Sequence, residues 1–333
     1  ALLGPVDGAL GAPRGMAQTV LGPLDVSRLG ITLSHEHIAD ATDVLARWKG
    51  ERAAFVAKAV EMLKQVRAAG IVTVADLTTY DVGRDIRFLE EVARKSGLQV
   101  IAATGQRFFP PQDSHVAMPA RTVEGLAGFF TKEITQGIDG TAIKAGVIKI
   151  GIVGAEPTAL EQTGLRASAR AGKATGAPIR THTAAAKRAG ERHAAILEDE
   201  GVNPARVSFD HSDDSGDMEY FLGLVRRGYC LGMDHVHRGI GGAFQPPFER
   251  RAQCIKLLAD AGFAGKIFLS QDAEFGGALL PGESRNWREK IDPAEEMLFT
   301  SRKLIPYLAS IGVSARDIHA MTVDNPKRFF SLA

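Results

Sequence analysis

Two histidines one residue apart, His35 and His37 in the run Gly30-Ile-Thr-Leu-Ser-His-Glu-His-Ile38, are the side chains of this sequence best suited to chemistry. On a β-strand successive side chains alternate between faces, so both imidazoles point one way while Glu36 points the other. Two imidazoles so placed can grip one metal ion, although strands also carry paired histidines for packing alone. The other histidines bear on that choice. Of the nine in the chain, His182, His211 and His235 also fall at or near the ends of apolar runs, and His237 lies just beyond. Asp272 ends a further run, Leu269-Ser-Gln-Asp272, and Lys149 lies near the end of Ala145-Gly-Val-Ile-Lys-Ile150. A buried free ammonium is costly without a partner. Lys149 therefore either reaches solvent or is carboxylated by CO2, which gives an anionic, bidentate carbamate able to bridge two divalent ions. Imidazole and carboxylate ligands suit zinc and similar first-row metals. His115, His193 and His319 fall outside the pattern and are assigned to loop or helix surfaces.

The elements that must position these residues are eight near-continuously apolar runs that end in polar residues: Ile31–Ile38, Ile71–Thr79, Gln99–Gly105, Ala145–Ile152, Pro178–Thr183, Val207–Ser212, Cys230–Val236 and Ile267–Asp272. Strands buried on both faces read this way, as parallel strands do. Between and after them lie amphipathic stretches at Arg52–Ala69, Arg84–Lys95, Val123–Gln136, Ala159–Thr175, Glu191–Glu200, Met218–Arg227, Phe248–Ala261 and Glu295–Ser310. Eight strand-then-helix units predict an α/β fold of the (β/α)8 TIM-barrel type, with the polar strand ends on its catalytic carboxyl face. The competing doubly wound sheet lacks its glycine-rich dinucleotide turn. Arg316–Phe330 reads as a final helical segment, with Asn325-Pro326 marking a helix start. The segments His237–Pro247 and Ala273–Pro293 are glycine- and proline-containing loops on the carboxyl face, where pockets and lids are built.

Composition sets the outer limits. The chain has 333 residues, 45% hydrophobic, enough for one sizeable core over residues 16–333; residues 1–15 read as a flexible leader or cloning remnant. With 40 basic against 39 acidic residues, nothing points to nucleic acid or an anionic membrane surface as a partner. No apolar run approaches the roughly 18 residues of a membrane span. The expectation is a soluble protein, cytoplasmic or periplasmic. Cys230 and Cys254 do not make a disulfide framework and read as buried small hydrophobes.

The runs Leu33-Ser-His-Glu-His-Ile38, Gly146-Val-Ile-Lys-Ile150, Thr181-His-Thr-Ala-Ala185, His211-Ser-Asp-Asp214 and Asn325-Pro326 are similar to those of the phosphotriesterase family of the amidohydrolase superfamily. So are Asp81-Val-Gly-Arg-Asp-Ile86 and Ala102-Ala-Thr-Gly105, and the likeness extends from about Gly22 to Phe330. The resemblance implies two divalent metal ions, zinc first, with cobalt or manganese as alternatives. His35, His37 and Asp272 would hold the more buried ion, His182 and His211 the more exposed one, and carboxylated Lys149 and a hydroxide would bridge them. The hydroxide would attack phosphorus or a carbonyl carbon directly. Asp272 would take the proton, and His235 and Asp214 match the positions that pass it to solvent in the phosphotriesterase branch. A homodimer is the family's implied assembly.

Substrate choice follows the resemblance less closely. The lactonase branch carries a tyrosine in the position of Arg107 and an arginine in that of His235; the phosphotriesterase branch carries a large aromatic in the position of Arg107. His235 thus favours the phosphotriesterase branch, and Arg107 favours neither. An arginine at a pocket mouth can hold an anionic group of a substrate. Phe108, Phe109, Phe244, Phe275 and Trp287 are apolar candidates for lining a leaving-group pocket, and one of His237 and Arg238 is expected to face it. The leading reading is a hydrolase of a small-molecule ester: an aryl dialkyl phosphate, with aryl ester activity alongside. The alternative is a lactonase or carboxylesterase with promiscuous phosphotriesterase activity. Amide hydrolysis and a catalytically silent binding protein rank behind both.

Overall fold

The computed structural model describes residues 15–38, 52–107, 120–242, 244–273 and 293–332. All eight apolar runs form strands of one parallel sheet. A short antiparallel hairpin precedes it, β1 (Met16–Thr19) and β2 (Gly22–Asp25). The barrel strands are β3 (Ile31–Glu36), β4 (Ile71–Asp76), β5 (Gln99–Gln106), β6 (Val147–Ile150), β7 (Ile179–His182), β8 (Val207–Asp210), β9 (Cys230–Met233) and β10 (Ile267–Leu269). They pair in sequence order from β3 to β10, giving a nearly closed barrel with helices between the strands. Most are shorter than the apolar runs, because the ladder stops where the polar ends begin to bond to side chains.

The hairpin escapes a pattern reading. Its strands are four residues each and only half apolar, and Gly22 and Pro23 read as a turn. It packs with Leu24, Val26 and Leu29 against Phe329 and Phe330, and this cluster reaches inside the barrel to Val147, Ala103 and Phe268. The alternate residues Ile148, Ile150, Val100 and Ala102 face outward into the larger core shared with the helices. Period-2 alternation therefore separates an outer apolar layer from an inner column.

The helices follow the expected spans within a few residues. Arg52–Ala68 buries Phe55, Val56, Ala59, Val60, Leu63 and Val66, the spacing of one helical face. Ala159–Thr175 begins at a reciprocal Thr158–Glu161 capping box and ends at left-handed Gly176. One expectation is corrected. Glu295–Ser310 is interrupted by a π-turn over Thr300–Leu304. Asn325-Pro326 does open an α-helix, Asn325–Phe330, which continues directly from a π-turn at Ala320–Asp324, where Pro326 has no N–H to give. His193 is also corrected: it lies on the inner face of the helix Ala189–Asp199, fully buried beside Phe209. His319 is half-buried near Asp324, and His115 lies outside the described residues. Cys230 and Cys254 are buried free thiols. No helix of the described residues is long and apolar enough to cross a membrane.

The seam between β10 and β3 is closed by other means than a ladder. Asp272 N–H donates to His35 O (3.1 Å) and His37 N–H to Ala273 O (2.9 Å). Buried Glu36 accepts from Ser270 Oγ (2.5 Å), Gln271 Nε2 (2.8 Å) and the Ala273 N–H (2.7 Å).

Candidate metal centre

Local backbone features aim the candidate side chains at one place above the inner column. Leu33 faces the outer core, so strict alternation would turn His35 outward as well. One extra residue in β3 between Leu33 and Glu36 breaks that phase, and His35 and His37 point inward while Glu36 turns to the seam. Lys149 shares the inward face of β6 with Val147. Beside it Gly105 adopts φ +122°, and a Cβ there would lie 1.8 Å from Lys149 O, so only glycine lets β5 close on β6. His211 (φ 59°) and Asp272 (φ 48°) both occupy the left-handed region, which costs a non-glycine residue about 1–2 kcal/mol. Both stand just beyond a strand end, where the reversed backbone turns the side chain back over the barrel.

The polar atoms converge as follows. Asp272 Oδ1 lies 3.4 Å from His35 Nε2 and 3.3 Å from His37 Nε2, and Lys149 Nζ lies 3.0 Å from His35 Nε2. The His211 ring stacks on His235 with centroids 3.9 Å apart and meets His182 edge-on at 4.3 Å. His35, His37 and Asp272 offer donor atoms within 4.8 Å of one another, and so do His211, His235 and Asp272, with Asp272 common to both sets. His35, His211 and Asp234 form a third such set, but its short contacts are hydrogen bonds to ring Nδ1 atoms. His182 belongs to none of the three sets and touches the cluster through His211.

A layer of residues that the sequence did not single out fixes this arrangement. Asp234 accepts from His35 Nδ1 (2.8 Å), His211 Nδ1 (2.9 Å) and the His211 backbone N–H (2.8 Å). His37 Nδ1 meets Thr78 Oγ1 at 2.9 Å. With their Nδ1 atoms engaged, His35, His37 and His211 each present Nε2 to the centre, the arrangement in which an outer partner orients a metal-binding imidazole. Below, Asp210 lies 3.0 Å from His35 Nδ1 and 3.3 Å from Lys149 Nζ, and fully buried Arg180 clamps it at 2.7 and 3.0 Å. Gly232 makes room for them: a Cβ there would stand 2.7 Å from Asp210 and 2.9 Å from Asp234.

The electrostatics divide the site. Burial pulls the Lys149 amine down, against the pull of Asp210, Asp272 and Asp234. Burial, with His211 and Lys149 beside it, drives His182 well below its ordinary value, and burial next to His235 lowers His211 to about 3. Both rings are thereby kept neutral with a lone pair to give. His235 is the exception. Burial and Arg238 push it down, yet Asp214 and Asp272 outweigh them and raise it to about 9. Its Nε2 lies 2.9 Å from Asp272 Oδ2 and its Nδ1 2.7 Å from Asp214 Oδ2. Burial opposes ionisation of Asp272, but His35, His235, His37 and Arg238 hold it well below the usual carboxylate range.

The expected pocket residues separate. Arg107 follows β5, half-buried, its backbone N–H held by Asp81 at 2.9 and 3.1 Å, and its charge is felt at His182. Arg238 reaches the centre, with Nη2 2.7 Å from Asp272 Oδ2. His237 is corrected: its ring is buried near Glu296 (3.7 Å) and Phe299, turned toward the C-terminal helices. Phe244 is exposed. Phe108, Phe109, Phe275 and Trp287 lie outside the described residues.

Neutral imidazoles with locked Nε2 atoms, a carboxylate shared between two donor sets and a buried amine of lowered basicity fit a pair of divalent first-row ions. The chain is also similar to known proteins. The profile of the Phosphotriesterase family matches residues 15–330. A "Phosphotriesterase homology protein" of Mycobacterium tuberculosis is 34% identical, covering 94% of this chain and 96% of its own. An "Aryldialkylphosphatase" of Saccharolobus solfataricus is 30% identical over 91% of this chain and 95% of its own. Among solved structures, a mutant of a phosphotriesterase-like lactonase from Deinococcus radiodurans superposes with a TM-score of 0.83 at 30% identity, covering 95% of this chain and 100% of that one.

Proposed function

Since the chain belongs to the phosphotriesterase family, we propose that it is a metal-dependent hydrolase of ester bonds whose best substrate is a phosphotriester with an aryl leaving group. His35, His37 and Asp272 would hold the buried ion, and His182 and His211 the exposed one, with carboxylated Lys149 between them. When bound, the two ions would supply a hydroxide nucleophile at neutral pH and polarise the substrate's oxygen. Lys149 is suited to its part because its lowered basicity favours the free amine, which adds to CO2 and releases one proton.

The observation that carries the reading is the path Asp272–His235–Asp214. Asp272 turns Oδ1 to His35 and His37 and Oδ2 to His235, so one carboxylate can serve the metal and the proton at once. In its neutral form, the minor one below about pH 9, His235 keeps its proton on Nδ1 and takes at Nε2 the proton that Asp272 Oδ2 receives during attack. The imidazolium so formed gives its Nδ1 proton to Asp214 Oδ2, and Asp214, 34% exposed, passes it to solvent. Two flanking carboxylates stabilise the imidazolium through which this transfer runs. The path carries a proton away from the centre, which suits an aryl oxide that departs as an anion.

A second reading, lactone hydrolysis, draws on the lactonase of D. radiodurans with its 30% identity over 95% of this chain. The test is a set of initial rates on metal-reconstituted protein with an aryl dialkyl phosphate, an aryl carboxylic ester, and γ- and δ-lactones. A kcat/KM approaching about 10^5 M⁻¹s⁻¹ for the phosphate, far above the rest and abolished by a chelator, is expected. Lactones ahead by orders of magnitude would replace the first reading with the second.

A further inference from the structure

Arg251 opens the helix Phe248–Asp260 and is fully buried, although none of the candidate ligands lies on that helix. Its guanidinium faces two ways. Nε donates to Pro246 O (2.7 Å) and Nη2 to Gln245 O (3.0 Å), fixing the turn that leads into its own helix. Nη1 donates to Asp213 Oδ2 (3.0 Å) and Asp214 Oδ1 (2.7 Å). Both carboxylates belong to the turn Ser212–Asp214 that follows β8 and His211.

These two carboxylates in turn set His235. Asp213, fully buried, accepts the backbone N–H groups of Asp234 (3.0 Å) and His235 (3.1 Å) and so anchors the end of β9. Asp214, held by its Oδ1, has Oδ2 left for His235 Nδ1. One planar fork thus places the ring of His235 through its backbone and through its acceptor together. We infer that Arg251 is a positioning residue for proton release: it keeps Asp214 turned to His235 and His235 turned to Asp272. The inference rests on the relay of the proposed function. Without the guanidinium, two adjacent carboxylates face each other across a buried turn, and the partly exposed Asp214 rotates toward water and away from the ring. A lysine brings charge but not the fork, and its three donors on a flexible stem cannot reproduce four fixed contacts.

Two readouts on zinc-loaded, 15N-histidine-labelled protein test this. The first needs no substrate: the His235 Nδ1–H resonance, identified by its loss in Asp214→Ala, is expected to shift or broaden beyond detection in Arg251→Met and to shift in Arg251→Lys. A resonance unchanged in position and width in both variants overturns the inference. The second is a double-variant cycle on the aryl ester the wild type cleaves fastest. Arg251→Met is expected to lower kcat about ten- to hundredfold with KM within about twofold, and to cost nothing further once Asp214→Ala is present. Losses that multiply would mean that Arg251 acts independently of Asp214. Should Arg251→Met fail to fold, Arg251→Lys takes its place, and a wild-type kcat together with a wild-type resonance in that variant overturns the inference. If the wild type cleaves no ester, the functional reading fails while the resonance still decides the role of Arg251.

Discussion

Removing the Asp234 carboxylate tests how the centre is held. It is the outer partner of two histidines, but the two do not depend on it equally. His35 Nδ1 has a second carboxylate oxygen within reach, Asp210 Oδ2 at 3.0 Å beside Asp234 Oδ2 at 2.8 Å. His211 relies on Asp234 Oδ1 for both its ring and its backbone N–H. Loss of an outer partner typically weakens metal affinity or activity about 10–100-fold. In Asp234→Ala that full loss, about 1.4–2.8 kcal/mol, should fall on the ion proposed for His211 and His182. The ion proposed for His35, His37 and Asp272 should lose less. Asp234→Asn should be milder: its amide can keep the carbonyl oxygen on His211 and turn its NH2 toward His35, which swings to Asp210. The assay is metal retained per chain, by elemental analysis, across a chelator titration. Asp234→Ala should shed one ion at about 10–100-fold lower chelator and the other near the wild-type midpoint. Equal retention in wild type and Asp234→Ala, or simultaneous loss of both ions, would refute the unequal dependence on this carboxylate.

Three further outcomes are expected. Lys149→Ala should lose metal and activity together and recover part of both with acetate or propionate; full activity without rescue would remove the bridging role. His235→Ala should slow turnover most for substrates with good leaving groups, where proton release limits the rate, and an unchanged kcat across a leaving-group series would take His235 out of the relay. Buried His193 has its pKa lowered from 6.5 to about 3 by desolvation. Above pH 6.5 it is neutral folded or unfolded; as pH falls toward 3 only the unfolded chain gains the proton. That should cost stability, roughly 2–3 kcal/mol by pH 4.5. His193→Leu should shrink the drop in urea midpoint between pH 7.5 and 4.5, and an equal drop in both proteins would discount this group.

The barrel was legible because its signals are strong and local: apolar runs of the right length, ended by polar residues, with amphipathic stretches between. The six candidate ligands stood out for a related reason, since histidines and an aspartate at strand ends on one face are rare by chance. What supports them did not stand out. Asp234 sits beside His235, and strict alternation would place the two on opposite faces. β9 ends at Met233, so alternation no longer applies there, and both side chains meet the site. Arg251 and Asp213 look like ordinary charges of a surface helix and a turn, and only burial reveals them. The bulge that turns His35 inward is equally silent, because an extra residue in a strand leaves no mark on composition.

The seam between the first and last barrel strands ties the shape of the fold to its chemistry. The contacts that complete the ring, from Asp272 N–H to His35 O and from His37 N–H to Ala273 O, join the residues proposed to share the buried ion. They connect positions more than two hundred residues apart, so their formation carries the largest loop-closure entropy in the barrel. An ion bound across that junction would act as a clasp on a hoop, and its binding free energy would add to the stability of the closed ring. Metal affinity at the proposed centre would therefore also be a gauge of circularity. A substitution anywhere that springs the hoop, however far from the centre, should register first as a looser hold on the ion.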